Sequence, residues 1–271
     1  MRGESHMINK IIGVYFSPNG TSKKVCDTVV NTLAERLKDA RGSEIATESV
    51  SFTLPKERER TVSVKEDELL VAVTPTYAGK IPNKILPAFK DNIKGNGGKA
   101  VAVATYGNRA YENSVAELCR TLKDNGFRIC AAAAVVSTHC MIPIGHLDLD
   151  EVKDFAEKID LTKEDVAVKG DADAPYYSPM QLDNTPAKFL KATPKTDESK
   201  CIKCGLCAKS CPMGSINPNN VSEITGICIK CHACINKCPK HAKYFDDPQL
   251  LSHQEMVKQN FAAPNMSEFF L

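Results

Sequence analysis

Two rhythms of apolar and polar positions alternate along the first part of the chain. Ile11–Phe16 is a short apolar run, the mark of a strand buried on both faces. Beyond it Val25, Val29, Leu33 and Leu37 recur every four residues, which predicts a helix with one apolar stripe. The exchange then repeats. A second strand falls within Ile45–Phe52 and a third over Leu69–Val73, and Pro82 opens a helix with Ile85, Leu86 and Phe89 inward. A fourth strand covers Lys99–Ala104, and its helix runs through Val115, Leu118 and Leu122 to stop near Gly126. Ile129–Val136 is the fifth strand, and Asp148–Leu161 an acid-started helix. The charged stretch Pro55–Asp67 fits a loop or a poor helix. Strands alternating with helices over 7–165 predict an α/β domain, a doubly wound five-stranded parallel sheet covered on both faces.

After residue 165 the rhythm stops. Residues 166–196 carry Pro175, Pro179, Pro186 and Pro194 among Asp, Thr and Lys, the composition of a connector. Tyr176, Tyr177, Met180, Phe189 and Leu190 are too apolar for a free linker, so part of it should pack on a domain. Residues 248–271 read as a tail, helical at most in part. Residues 1–6 read as a vector-derived tag with Met7 as the native start. No apolar run is long enough to span a bilayer.

Eight of the twelve cysteines lie in two copies of one pattern. Cys201, Cys204, Cys207 and Cys211 precede Pro212; Cys228, Cys231, Cys234 and Cys238 precede Pro239. Both copies are C-x2-C-x2-C-x3-C-P. Buried structural cysteines have no reason to repeat at fixed spacing, and disulfides suit an oxidising compartment. Zinc is a rival, since eight thiolates make two four-sulfur tetrahedra, but zinc ligands usually come as separate C-x2-C pairs. The run is the one that holds cubane iron–sulfur clusters. Residues 197–247 therefore resemble the two-cluster bacterial ferredoxins, a small α+β domain. The resemblance implies a crossed ligand set: Cys201, Cys204, Cys207 and Cys238 for one [4Fe-4S] cluster, and Cys228, Cys231, Cys234 and Cys211 for the other. Such oxygen-sensitive ligands imply a reducing cytoplasm. Cys26, Cys119, Cys130 and Cys140 read as small apolar core residues. Cys140 and its neighbour His139 come after the fifth strand and could approach a ligand there.

The first domain lacks both G-x-G-x-x-G and G-x4-G-K-[ST] after its first strand. The strand leads instead into Ser17-Pro18-Asn19-Gly20-Thr21-Ser22, hydroxyls and an amide running into a helix start, which can cradle a phosphate. An ordinary helix cap would use the same residue types. Two further loops, Thr74–Pro82 and Ala104–Tyr111, combine glycine with an aromatic ring at strand carboxyl ends. Together the three loops resemble those of the flavodoxin-like family. That resemblance implies FMN, with Ser17, Asn19, Gly20, Thr21 and Ser22 at its phosphate. It places the ring near Pro75, Thr76, Tyr77, Ala78 and Gly79 on one side and Thr105, Tyr106, Gly107, Asn108, Arg109 and Tyr111 on the other. Arg109 is expected at the pyrimidine edge. The chain departs from the commonest flavodoxins in its Ser-Pro-Asn-Gly-Thr-Ser loop and in having no tryptophan, so stacking falls to tyrosine.

The net charge of +2 hides a local imbalance. Residues 7–165 hold 22 basic and 22 acidic side chains, whereas residues 200–243 hold seven lysines against Glu223 alone. Those lysines can offset cluster charge, face an acidic partner, or serve solubility. The whole chain resembles the flavodoxin–ferredoxin fusion proteins of anaerobes. This implies electron transfer among FMN, two clusters and a redox partner protein, with no role for nucleic acid. The half-apolar connector, the neutral first domain and the lysine-rich second one point to one cluster packing near the flavin, with a loose tether serving separate partners as the alternative. The alternative is an FMN-dependent reductase using a reduced nicotinamide or a small acceptor; a zinc-ribbon interaction protein is a third reading. No nicotinamide fingerprint is present, yet flavin enzymes bind such donors without one; an electron carrier is the expectation over a substrate-specific enzyme.

Overall fold

The computed structural model describes residues 8–271, so the tag expected over 1–6 lies outside the described residues. The elements of the first domain run β1 (Lys10–Tyr15), α1 (Thr21–Arg41), β2 (Ala46–Ser51), β3 (Val62–Val64), β4 (Glu68–Pro75), α2 (Leu86–Asn92), β5 (Ile93–Gly95), β6 (Lys99–Tyr106), α3 (Ser114–Asp124), β7 (Arg128–Val136) and α4 (Leu149–Lys158). The connector ends in β8 (Lys195–Thr196), and α5 (Leu206–Lys209), α6 (Ala233–Asn236) and β9 (Lys243–Tyr244) follow it. The tail adds α7 (Pro248–Asn260) and β10 (Glu268–Phe270).

The main sheet is ordered β10-β7-β6-β4-β1-β2. Its five long strands are parallel. Counted as main strands their order is 2-1-3-4-5, the flavodoxin-like winding, whose switch point falls between β1 and β4. The apolar runs explain this arrangement, because a strand such as Leu69–Val73 is fully buried and needs helices on both faces. One face packs Val14, Leu70, Ile85, Phe89 and Leu118. The other packs Val25, Val29 and Leu33 of α1 with Phe155 of α4. Gly13 lets α1 come close, since a Cβ there would stand 2.7 Å from the Cys26 sulfur.

Three features depart from the sequence reading. The sheet has six strands instead of five, because β10 pairs antiparallel with β7, Glu268 to Phe270 against Ala134 to Ala132. Phe269 then stacks on Phe155 with ring centres 4.9 Å apart. Pro82 starts a turn, not the helix itself; its carbonyl accepts from Ile85 N and Leu86 N before α2 begins. Part of Pro55–Asp67 forms a strand, β3, which pairs parallel with β5. The tail, expected to be helical at most in part, is helical over α7, capped by the Asp247 carboxylate on Leu250 N.

The connector packs along much of its length. Val166 N donates to the Ile129 carbonyl, and Tyr177 N to that of Ala78. Lys80 and Glu117 form a buried ion pair at 3.1 Å. The same ammonium donates to the carbonyls of Ala172 and Ala174 at 2.8 and 2.7 Å, so one buried charge pins the connector. Farther on, Phe189 and Ala192 join Phe245 and Leu250 in a small apolar cluster. The cysteine-rich domain closes on the antiparallel pair β8–β9. Among the described residues no helix is long and apolar enough to cross a membrane.

Candidate functional site

The carboxyl ends of β1, β4, β6 and β7 meet at one edge of the sheet, and the loops leaving them enclose a cavity of about 280 Å³. Ser17, Asn19, Thr21 and Ser22 line one end of it, beside Pro75, Thr76, Tyr77, Thr105, Tyr106 and Gly107. Gly20 makes the turn, with φ at +90°, and its own side leaves open space that a Cβ would enter. Gly20 gives α1 no side-chain cap of its own, no acid sits in the first turn, and the Lys23 N–H is the leading donor taken by a side chain, Ser17 Oγ. The other leading N–H groups and the positive end of this 21-residue helix therefore face the loop. Local bonds fix the loop: Lys23 N donates to Ser17 Oγ at 2.9 Å, Ser17 N to Thr53 Oγ1 at 3.0 Å, and the Ser22 and Thr105 hydroxyls share a bond of 2.9 Å. Free donors and hydroxyls of this kind suit a phosphate.

A second cavity of about 180 Å³ adjoins the first and shares Thr76, Tyr77, Gly107, His139 and Cys140 with it. Ala78, Gly79 and Arg109 extend its wall. Gly107 is needed there, because a Cβ would lie 2.6 Å from the His139 ring. Arg109 is paired with Glu112 at 2.7 Å and lies 4.0 Å above the Tyr177 ring. Burial pushes the Tyr77 phenol up, and the same cause brings His139 down to about 4 and Cys140 up to about 12.

Asn108 and Tyr111 line neither cavity, because the tail takes their side chains. Asn108 Nδ2 donates to the carbonyls of Phe261 and Ala263 at 2.7 and 2.9 Å, and its Oδ1 accepts from Asn265 N. The Tyr111 hydroxyl bonds the Glu268 carboxylate. Tyr106 lines the first cavity, yet its hydroxyl is also held by the tail, donating to the Met266 carbonyl at 2.6 Å. Of the three tyrosines open for stacking in the sequence, Tyr77 alone lines both cavities.

Residues from outside the three loops complete the walls. Ser137 and Thr138 come from the end of β7, where the strand-end rule points. Tyr177, Phe189 and His253 come from the connector and α7, and Asn236, Lys237, Ile229 and Lys230 from the cysteine-rich domain. No local pattern marks the residues of the connector, α7 and the cysteine-rich domain as wall residues.

The cysteines surround two further cavities. One is lined by Cys201, Cys204, Cys207 and Cys238, the other by Cys211, Cys228, Cys231 and Cys234. The quartets are built alike. Gly205 and His232 hold the left-handed turn before α5 and α6, and Lys203 and Lys230 hold a left-handed residue between the first two cysteines. Ser215 N lies 3.4 Å from Cys211 Sγ, and Ala242 N lies 3.3 Å from Cys238 Sγ, each four residues beyond its cysteine. Burial would raise Cys238, but the backbone N–H groups of Ala242, Lys240, Lys243 and His241 bring it below the usual thiol value. Cys231 and Cys234 are pushed up by burial, Cys234 to about 12. Buried thiols of this kind ionise only with a strong cation to hold them, which is the condition a metal centre meets.

The second quartet lies against the loop cavity. Asn19 Nδ2 donates to the Cys231 carbonyl at 2.8 Å, and Asn236 Nδ2 to Asn19 Oδ1 at 3.1 Å and the Cys140 carbonyl at 3.0 Å. Arg58 Nη2 donates to the Pro212 carbonyl at 2.8 Å, and Met213 and Ile229 pack on the core of the first domain. The cavity of the first quartet is lined only by residues between Thr196 and Lys243, none of them from the first domain, and Cys204 is exposed.

Residues 194–217 match the 4Fe-4S binding domain family, and residues 225–244 match a second 4Fe-4S binding domain family. Among solved structures, the chain is similar to a flavodoxin from the domain Archaea at 14% identity, covering 55% of this chain and 95% of that one, with a TM-score of 0.35. It is similar also to Megasphaera elsdenii flavodoxin at 16% identity, covering 55% and 98%, with a TM-score of 0.36. The rubredoxin oxygen:oxidoreductase of Desulfovibrio gigas is 19% identical over 58% of this chain and 36% of that one, with a TM-score of 0.32. No curated protein matches. The molecule thus joins a flavodoxin-like sheet, by its own strand order, to a pair of 4Fe-4S binding segments.

Proposed function

We propose that this chain is an electron-transfer flavo-iron–sulfur protein, with FMN in the joined loop cavities and one [4Fe-4S] cluster in each cysteine quartet. The supporting observation is the bond from Asn19 to the Cys231 carbonyl, which ties the phosphate-type loop to a cysteine of the nearer quartet. Bound there, FMN exchanges one or two electrons and each cluster exchanges one. Ser17, Thr21, Ser22 and the start of α1 hold the phosphate. Tyr77 and Gly107 shape the ring's bed, and Ile229 and Lys230 cover it from the cysteine-rich domain. The quartet of Cys211, Cys228, Cys231 and Cys234 is then the inner one, and that of Cys201, Cys204, Cys207 and Cys238 opens to a partner. Being in one chain raises the effective concentration of the redox centres for one another.

The partner is an acidic electron-carrier protein. Ile202 and Leu206 at the outer quartet are 57% and 40% exposed; Lys200, Lys203 and Lys209 are exposed near them in sequence, and exposed Lys240 lines the same cavity. An apolar centre within a basic surround fits an acidic face, and its on-rate should fall with salt.

Anaerobic purification followed by iron, sulfide and flavin analysis tests the proposal. About eight iron and eight sulfide per chain are expected, with FMN. A colourless zinc protein overturns it. Rapid-mixing reduction, followed separately at flavin and cluster absorbance, should give internal transfer independent of protein concentration. Steady turnover of a reduced nicotinamide with no protein partner present would favour the reductase instead.

A further inference from the structure

Lys243 stands five residues after Cys238, and the same place after Cys211 is Ile216. Both side chains are buried, Ile216 at 5% and Lys243 at 3% exposure. Ile216 does what a buried residue ordinarily does there, packing with Val221 and Cys234. Lys243 lies on β9 opposite Thr196, and its ammonium donates to Thr196 Oγ1 at 2.7 Å and to the Val221 carbonyl. Both acceptors are neutral, and among the described residues no carboxylate forms an ion pair with it. A buried cation held only by neutral oxygens is strongly unfavourable unless a counter-charge lies within reach. Packing does not require it, since the sister repeat fills the place with isoleucine.

The groups within reach are the two cysteine quartets. Lys243 lines the cavity of the outer quartet together with Cys201, Cys204, Cys207 and Cys238. Val221, whose carbonyl accepts from that ammonium, packs in one apolar cluster with Cys207 of the same quartet and Cys234 of the inner one. We propose that Lys243 is the shared internal counter-cation of the two clusters, a tuning residue that makes reduction of each one easier. This rests on the reading that each quartet holds an iron–sulfur cluster. Each cluster gains one negative charge on taking an electron, and a fixed buried cation offsets that charge with little screening by solvent. The five exposed lysines of the domain act through water and contribute far less.

The test uses the full-length, anaerobically loaded protein and its Lys243→Ile, Lys243→Gln and Lys243→Arg variants, with Lys209→Gln as an exposed control. Reduction potentials are read by redox titration, with the paramagnetic signals of the reduced clusters as the signature. Both potentials should fall in the isoleucine and glutamine variants and stay near the parent in the arginine and Lys209 variants. Unchanged potentials, or a fall at one cluster alone, overturn the shared role. Should the neutral variants fail to hold iron while Lys243→Arg holds it, that loss supports the counter-cation. Equal loss in all three makes Lys243 a packing residue and overturns the proposal. Absence of iron–sulfur from the parent protein would instead sink the cluster reading, and would be seen before any variant was compared.

Discussion

Asn19 and Cys231 are 212 positions apart in sequence, and the amide of one donates to the backbone carbonyl of the other at 2.8 Å. Asn236 completes the contact by donating to Asn19 Oδ1 and to the Cys140 carbonyl. Asn236→Ala removes both donors while leaving every cysteine in place. Each lost bond is worth about 1 kcal/mol, enough to loosen the seating of the two domains. Transfer between flavin and clusters should slow several-fold with iron, sulfide and flavin content unchanged. A rate equal to the parent's, by rapid mixing, would show that this contact does not govern the transfer.

Thr21→Asp places a carboxylate at the first residue of α1, where the phosphate is proposed to sit. Repulsion should outweigh the favourable effect of an acid at a helix N-terminus. FMN affinity should drop at least tenfold by equilibrium titration of the flavin-free protein, with thermal stability of that form unchanged or slightly raised. Unaltered FMN affinity would move the phosphate elsewhere.

Cys238→Ala removes a thiol from the outer cavity, although Cys238 belongs by sequence to the inner repeat. The signal lost should be that of the cluster on Cys201, Cys204 and Cys207, leaving about four iron per chain. Loss of the cluster on Cys228, Cys231 and Cys234 instead would contradict the crossed arrangement.

Lys80→Ala leaves the Glu117 carboxylate buried without its cation and frees the carbonyls of Ala172 and Ala174. Breaking one side of a buried pair costs about 3–5 kcal/mol. The midpoint of denaturant unfolding should fall accordingly, and proteolysis should begin near residues 170–176. The charge-conserving Lys80→Arg should recover part of the loss.

His139 stays neutral in the fold down to about pH 4, because burial opposes its charged form. The unfolded chain takes up that proton near 6.5. More protons are then bound by the unfolded state between those values, so this residue's contribution is complete above about pH 6.5 and is lost as pH falls towards 4. Unfolding midpoints of parent and His139→Asn should therefore converge as pH falls from 7 to 4. Parallel curves across that window would remove the assignment.

Much of the fold was legible because each main strand is a continuous apolar run and each helix carries a stripe at the right spacing. Both signals are local. The cysteine quartets were legible because fixed spacing is itself a geometric statement. The features that escaped share a physical cause, long-range pairing of segments too short to carry a period. Glu268–Phe270 is a strand because Ala132–Ala134 offers an edge, and nothing within those residues requires it. Once that strand is in place, Tyr111 turns to Glu268 and Asn108 to the tail backbone, which is why loops of the right composition deliver fewer ring contacts than residue type implies. Left-handed His232, where its sister position is Gly205, was equally hidden; its stacking on Phe245 at 4.9 Å is a tertiary contact.

The pairing of β10 with β7 also sets an order of synthesis. β7 ends at Val136, and its partner Glu268 leaves the ribosome only after the whole cysteine-rich domain has been made. At typical elongation rates of about 5–20 residues per second, that edge stays open for roughly 7–26 s. An unpaired alanine-rich edge is a template for another nascent chain, so polysomes translating this message carry the risk of strand exchange between neighbours. The cysteine-rich domain is made in the same interval, so a pause in its synthesis would prolong the exposure of a sheet that lies outside it in sequence.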